Sequence, residues 1–201
     1  IISSLLVIGA RQPKNSALFY ALQSLVLVLI FIALAYAMQA NELYAWAGTA
    51  FITKVLLVPY IMYRALGSLK DEKAVSTLGF GPLILIASVI VILSYQVVSS
   101  IKLPMVEALK PALGVSLGHF FLGLLCIVSQ RNILKQIFGY CLMENGAHLT
   151  LAIMAYKAPK LVEIGIATDA IFAVVIMSLL ARKIYRMLNS LDVQQLTALK
   201  G

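Results

Sequence analysis

The chain has 201 residues, 62% of them hydrophobic and only 12% charged, with a mean hydropathy of +0.97. A soluble domain carries charge on roughly a quarter of its residues, so this composition excludes a water-soluble globule and indicates an integral membrane protein. The net charge of +8 would suggest nucleic acid in a soluble chain, but here the basic residues fall between apolar runs, where membrane topology accounts for them.

Taken in order, the first apolar run, Ile1 to Gly9, stops at Arg11, Pro13 and Lys14. Nine helical residues rise about 14 Å, half of a hydrocarbon core about 30 Å thick. This run is therefore expected to be a span incomplete at its N-terminal end, and it lacks the basic start and small-residue cleavage site of a signal peptide. Further spans are predicted at Ser16 to Met38, Glu42 to Tyr63, Phe80 to Ile101, Leu109 to Ser129, Gln130 to Tyr156 and Leu161 to Ala181. The fold expected is all-α: a polytopic bundle of about seven transmembrane helices with short connections. The basic residues are unevenly shared between its two sides. Arg11, Lys14, Arg64, Lys70, Lys73, Arg131, Lys135, Arg182, Lys183, Arg186 and Lys200 fall on one side, against Lys102, Lys110, Lys157 and Lys160 on the other. The positive-inside rule makes the first side cytoplasmic, with the C-terminus inside and the N-terminus outside.

The polar residues within the spans are the functional candidates. Glu144 and His148 stand four residues apart on the Gln130 to Tyr156 stretch, on one helix face and about 6 Å apart along the axis. Asp169 lies within the last span. An acid at membrane depth either stays protonated or meets a cation or water, and both conditions suit a proton relay; the structural alternative is a hydrogen bond between helices. His148 can pair with Glu144 or bond a neighbouring helix, and imidazole titrates near neutral pH. His119 has no such companion and reads first as a satisfied core histidine; it follows Gly114 and Gly118, a pair spaced for close helix approach. Lys54 is expected to be buried against an acid of this or a neighbouring subunit, with Pro59 loosening the backbone nearby. Glu163, at a predicted helix start, reads as interfacial. Cys126 and Cys141 lie within apolar spans and form no CxxC pair, which gives no basis for a zinc, nickel or iron–sulfur site in this chain.

Two resemblances extend this reading. The segment HFFLGLLCIVSQRNILKQIFGYCLMENGA, His119 to Ala147, resembles the middle of the small K subunit of respiratory complex I, where an Arg-Asn turn joins a helix pair. The last span, GIATDAIFAVVIMSLL, and the ending LDVQQLTALKG resemble that subunit's final helix and polar tail. On this basis residues 1–104 form an N-terminal membrane part of four helices, and 105–201 a K-subunit-like part of three helices and a tail. The K subunit's first glutamate would fall at Cys141 rather than Glu144, almost one turn away on much the same face, while Asp169 falls on its second acid. The longer pattern, LKPALGVSLGHFFLGLLCIVSQRNILKQIFGYCLMENGAHL with APKLVEIGIATDAIFAVVIMSLLARKI, and QSLVLV and AFITKVLLVPYIM before it, resembles the hydrogenase-4 component E family. That resemblance implies a non-catalytic subunit of a formate hydrogenlyase type of complex in the bacterial inner membrane. It implies antiporter-like membrane subunits, a peripheral hydrogenase module and, in formate hydrogenlyases, a formate dehydrogenase as partners. The nickel–iron centre and iron–sulfur clusters would then belong to partner subunits, with no cofactor in this chain. Glu144, His148 and Asp169, extended by Lys54 and His119, become proton-relay candidates. A purely structural anchor, and a stand-alone transporter or small-molecule quinone-type binding protein, are the alternatives.

Overall fold

The computed structural model describes residues 1–67 and 76–198. Lys70, Lys73 and Lys200, counted above for topology, lie outside the described residues. The helices in chain order are α1 (Ile2–Gly9), α2 (Pro13–Met38), α3 (Glu42–Ala50), α4 (Val58–Leu66), α5 (Phe80–Ser100), α6 (Lys110–Ser129), α7 (Ile133–Met154) and α8 (Lys160–Leu188). A π-helical stretch, Phe51–Leu57, joins α3 and α4 into one rod. The described residues thus make seven helical passes, as the sequence suggests. Prolines open several of them: Pro13 stands at the start of α2 and Pro111 in the first turn of α6, where a missing N–H costs nothing.

Five of the passes are long and apolar enough to cross a membrane unaided: 13–38, 42–65, 80–100, 106–129 and 161–188. The two others are α1, short as expected, and α7. α1 has eight residues. α7 has 22 residues, and it starts at Ile133 rather than Gln130. It carries Lys135, Gln136, Glu144, Asn145 and His148, too polar a set for a helix surrounded by lipid. It sits instead in the middle of the bundle, packed by α1, α2, α6 and α8, and needs no lipid-compatible face. By contrast only 22% of the apolar window of α5, and of α8, is buried within the chain, so these two helices form the outer flanks.

The closest packing joins α6 to α7, and glycine makes it possible. A Cβ on Gly123 would stand 2.2 Å from the backbone N of Met143, and one on Gly146 would stand 2.4 Å from that of Phe120. Gly114 and Gly118, the pair visible in the sequence, serve a different contact with α5: a Cβ on Gly114 would stand a tight 3.2 Å from Tyr95, and one on Gly118 an ordinary 3.6 Å from Val91.

The turn between α6 and α7 is tied down on both sides. Asn132 caps α7, its Oδ1 accepting from the backbone N–H of Leu134 at 2.9 Å, as a favoured N-cap residue does. Arg131 makes a two-pronged ion pair with Asp192. The tail reaches it because Asn189 ends α8 in the left-handed conformation, φ 52°, which asparagine tolerates. Backbone bonds from Ile133 N to Leu191 O (3.0 Å) and from Val193 N to Arg131 O (2.9 Å) complete the clamp. From the other side, Thr77 donates its N–H and its hydroxyl to Ser129 O, each at 2.9 Å.

The hydrogen bonds from Arg131 hold the Asp192 carboxyl below its ordinary value of 3.8, helped by the backbone N–H of Gln194 and opposed by partial burial. A lowered acid stabilises the fold fully above its ordinary value, and the contribution is lost as pH falls through the lowered one. A spin label on the exposed Gln195 should therefore stay immobile from neutral pH down to that range and become mobile only below it. In Asp192→Asn the label should already be mobile at neutral pH.

Candidate functional site: a polar layer at mid-membrane

Pro59 explains the local shape of the third pass. It has no N–H to donate, and its ring would collide with the carbonyl four residues back in a regular α-helix. The chain answers with the wider π-helical turns just before it, a feature that often marks functional sites. Lys54 lies in the middle of that stretch. Its side chain is wholly buried, and its Nζ donates to Glu144 Oε1 of α7 at 2.7 Å. The partner anticipated from the sequence is thus an acid of this same chain. The ammonium and carboxylate replace each other's water, without which neither belongs at this depth.

Two further polar contacts flank the pair. Thr53 donates to Thr49 O at 2.8 Å, and the Thr49 hydroxyl reaches Glu163 Oε1 at 2.8 Å. Glu163 does open α8, but its side chain is buried (6% exposed) rather than interfacial, because α8 packs there against α3. On the other side, the Tyr140 hydroxyl, one turn before Glu144 on α7, donates to Asp169 Oδ2 at 3.4 Å. Asp169 itself faces outward from the chain.

His119 belongs to a second cluster. Its Nδ1 is 2.8 Å from Ser4 Oγ and its Nε2 is 2.9 Å from Gln23 Nε2. Gln23 Oε1 in turn accepts from Asn145 Nδ2 at 2.6 Å, and Asn145 Nδ2 also lies 3.2 Å from Ser24 Oγ. These contacts fix the protons. An amide nitrogen only donates, so Nε2 of His119 accepts and Nδ1 carries the hydrogen given to Ser4. His119 is a neutral, doubly bonded imidazole held by α1 and α2, the arrangement of a satisfied core histidine. The amides of Gln23 and Asn145 pass protons poorly, so this cluster orients α7 around Glu144 rather than forming a wire.

His148 joins neither cluster. It lies 4.8 Å from the ring of Phe31 and 5.3 Å from that of Trp46, and both of its nitrogens are buried without a hydrogen-bond partner. The pairing with Glu144 that their spacing allows is not formed, because Lys54 occupies that carboxylate. The geometry thus brings Lys54 and Glu144 together, sets Asp169 beside them through Tyr140, and leaves His119 and His148 apart.

Three contributors were not singled out from the sequence. Gln23 and Asn145 link α2 to α7. The only hint of them is that Gln23 and Ser24 interrupt an otherwise apolar helix and that Asn145 adjoins Glu144. Lys135, counted above as a loop cation, is instead fully buried in the first turn of α7. Its Nζ donates to Val7 O, to Ala10 O (3.0 Å) and to Ser16 Oγ (2.8 Å), so it caps the C-terminal end of α1, where a positive charge is favoured. Among the described residues no three His, Cys, Asp or Glu side chains gather in a group able to hold a metal ion.

The family model for NADH-ubiquinone/plastoquinone oxidoreductase chain 4L matches residues 111–201, the part that contains α6, α7, α8 and the tail clamp. Over its whole length the chain is 59% identical to Hydrogenase-4 component E of Escherichia coli (strain K12), covering 94% of that protein, and the same holds for the Shigella flexneri protein of that name. An uncharacterized protein of Mycobacterium tuberculosis is 21% identical over the full chain and 92% of its own length. No solved structure matches. Similarity at this level, end to end, shows that the chain belongs to the hydrogenase-4 component E family.

Proposed function

We propose that this chain is a non-catalytic membrane-arm subunit of a hydrogenase-4 or formate hydrogenlyase complex, and that it helps couple electron flow in the partner module to proton movement. The observation that carries the reading is the Lys54–Glu144 ion pair, buried at mid-span in a π-helical stretch. A carboxylate and an amine in contact can each gain or lose a proton, and either change alters the partner's environment by the full charge of the pair. Tyr140 and Asp169 give that change a way toward the surface of α8. Asp169 faces outward at about 14 Å along α8, and an acid facing lipid there is costly. This favours a neighbouring membrane subunit, such as an antiporter-like one, that offers it a cation or donor. The redox centres, nickel–iron and iron–sulfur, fall to the partner subunits in this reading.

Arg11, Arg64, Arg131, Arg182 and Arg186 flank helix ends on the side where α1, α4, α6 and α8 finish, whereas Lys102, Lys110 and Lys157 lie near the opposite ends. That asymmetry supports a cytoplasmic C-terminus in a bacterial inner membrane.

The test is proton movement by proteoliposomes holding the whole complex during hydrogen turnover. Assembled complexes with Glu144→Gln or Asp169→Asn should keep turning over hydrogen while their pH gradient collapses. Gradient and turnover equal to the native complex would sink the relay and leave a purely structural anchor.

A further inference from the structure

We propose that Lys135 is the group through which the mid-membrane layer exchanges protons with water at the end of the bundle where α1 stops and α7 begins. The inference rests on the proton-transfer reading above and adds to it a place of access. Lys135 is fully buried, yet among the described residues the acceptors it meets are neutral: the carbonyls of Val7 and Ala10 and the hydroxyl of Ser16. Among the described residues no carboxylate lies within ion-pair distance of it, unlike Lys54. Capping α1 alone does not require a lysine, since the last carbonyls of a helix are commonly met by backbone N–H groups or water.

The second observation is a cavity of about 310 Å³. Ala10, whose carbonyl binds Lys135, lines it together with Arg11, Ser76, Phe80 and Gln130. It is polar and ample for several waters. Toward the interior, Ser16 is followed one turn later on α2 by Tyr20, which is fully buried and whose hydroxyl, near Asn145, has no hydrogen-bond partner among the described residues. Asn145 adjoins Glu144. Hydroxyls can accept one proton while releasing another, so Ser16 and Tyr20 supply the kind of group that the amide cluster lacks. The span from Lys135 to Glu144 is nine residues of helix, about 14 Å. In the step proposed, Lys135 starts as the ammonium whose three protons go to Val7 O, Ala10 O and Ser16 Oγ. The ammonium releases one proton to Ser16 as that hydroxyl passes its own inward by way of Tyr20 to the carboxylate of Glu144, and a hydronium ion in the cavity then reprotonates the amine. One proton leaves the cavity water and one arrives at Glu144, which ends as the carboxylic acid, while Lys135, Ser16 and Tyr20 return to their starting states.

The experiment has an arm that does not depend on proton transport. In the whole complex, Lys135→Cys is treated with a small, charged, membrane-impermeant methanethiosulfonate, with Phe138→Cys, buried one turn away, as the control. Lys135→Cys should react and Phe138→Cys should not; no reaction at position 135 overturns the access route. In proteoliposomes, Lys135→Met and Ser16→Ala, the latter keeping the lysine and its grip on α1, should each cut gradient formation at least about tenfold, as loss of a proton-transfer group does, with hydrogen turnover kept. If both form the native gradient while Glu144→Gln does not, Lys135 is only an anchor for α1 and the proposal fails, though the relay stands. If Glu144→Gln also forms the native gradient, the relay reading has failed and takes the proposal with it.

Discussion

Glu144→Gln, with Lys54 left in place, is expected to destabilise the fold by about 3–5 kcal/mol, the usual cost of removing one partner of a buried ion pair. Lys54 is wholly buried and Glu144 is the acid its ammonium meets. In the variant the ammonium faces a neutral amide in a site closed to water. Lys54→Met should cost a comparable amount, because the carboxylate is then the orphan. The double variant Lys54→Met, Glu144→Gln should be close to native stability, since neither charge remains to be solvated and the residues replaced are of similar size. The non-additivity of that cycle is the quantity to measure, by unfolding of the isolated subunit in mixed detergent micelles. Additive single losses would mean that the two charges do not depend on each other, and the coupling proposed for them would have no physical basis. A strongly non-additive cycle combined with a lost proton gradient in the double variant would separate the two roles: the pair is dispensable for folding and needed for transport.

Much of this layer was legible in the sequence, for a simple physical reason. Charged and titratable side chains are so costly in hydrocarbon that their mere presence within a span marks the interior. Lys54, Glu144 and Asp169 stood out for that reason, and the need for each to find a partner followed directly. Which partner each finds did not follow. The spacing of Glu144 and His148 permits a contact along one helix, yet a lysine 90 positions away takes the carboxylate, and His148 turns into an aromatic box with Phe31 and Trp46. Helical periodicity records only what shares a face, and tertiary contact decides what meets it. Lys135 shows the same limit at a helix end. Five residues from a predicted boundary it reads as a solvated loop cation, but α1, α2 and α7 close over it. Gln23 and Asn145 carry no charge and so give no comparable alarm, although they join α2 to α7. The overall fold was easier to read, because most of the apolar runs are continuous and long enough to span. α7 is the exception in composition. Its polarity is a sign of its central position and not an argument against its being a helix.

The glycines give the other large expected effect. Gly123→Ala would place a methyl group 2.2 Å from Met143 N, 2.6 Å from Met143 Cα and 2.7 Å from Gly139 O. Every one of these atoms is backbone, so no side-chain rotation relieves the clash and α6 must move away from α7. Gly146→Ala meets Phe120 N at 2.4 Å and Ser116 O at 2.9 Å, on the same interface. Each substitution should cost at least the roughly 1–3 kcal/mol typical of overpacking. The pair should cost less than the sum, because a helix already displaced accommodates the second methyl more easily. Gly165→Ala is the matching control. Nothing lies within 4 Å of its added Cβ, and replacing an exposed helical glycine should be neutral or stabilising by about 0.5–1 kcal/mol. Detergent unfolding midpoints of the three variants decide the matter, and a Gly123→Ala protein as stable as Gly165→Ala would refute the close α6–α7 contact. The consequence reaches beyond stability. His119 sits on α6 and holds Gln23, which in turn holds Asn145 beside Glu144. Separating α6 from α7 pulls this neutral network away from the acid it orients. Gly123→Ala should therefore weaken the proton gradient of the assembled complex even though it leaves every titratable group of the layer in the sequence. Isosteric changes at Gln23 would be expected to share that effect, and changes at the lipid-facing Leu124, which is exposed on the same helix, would not.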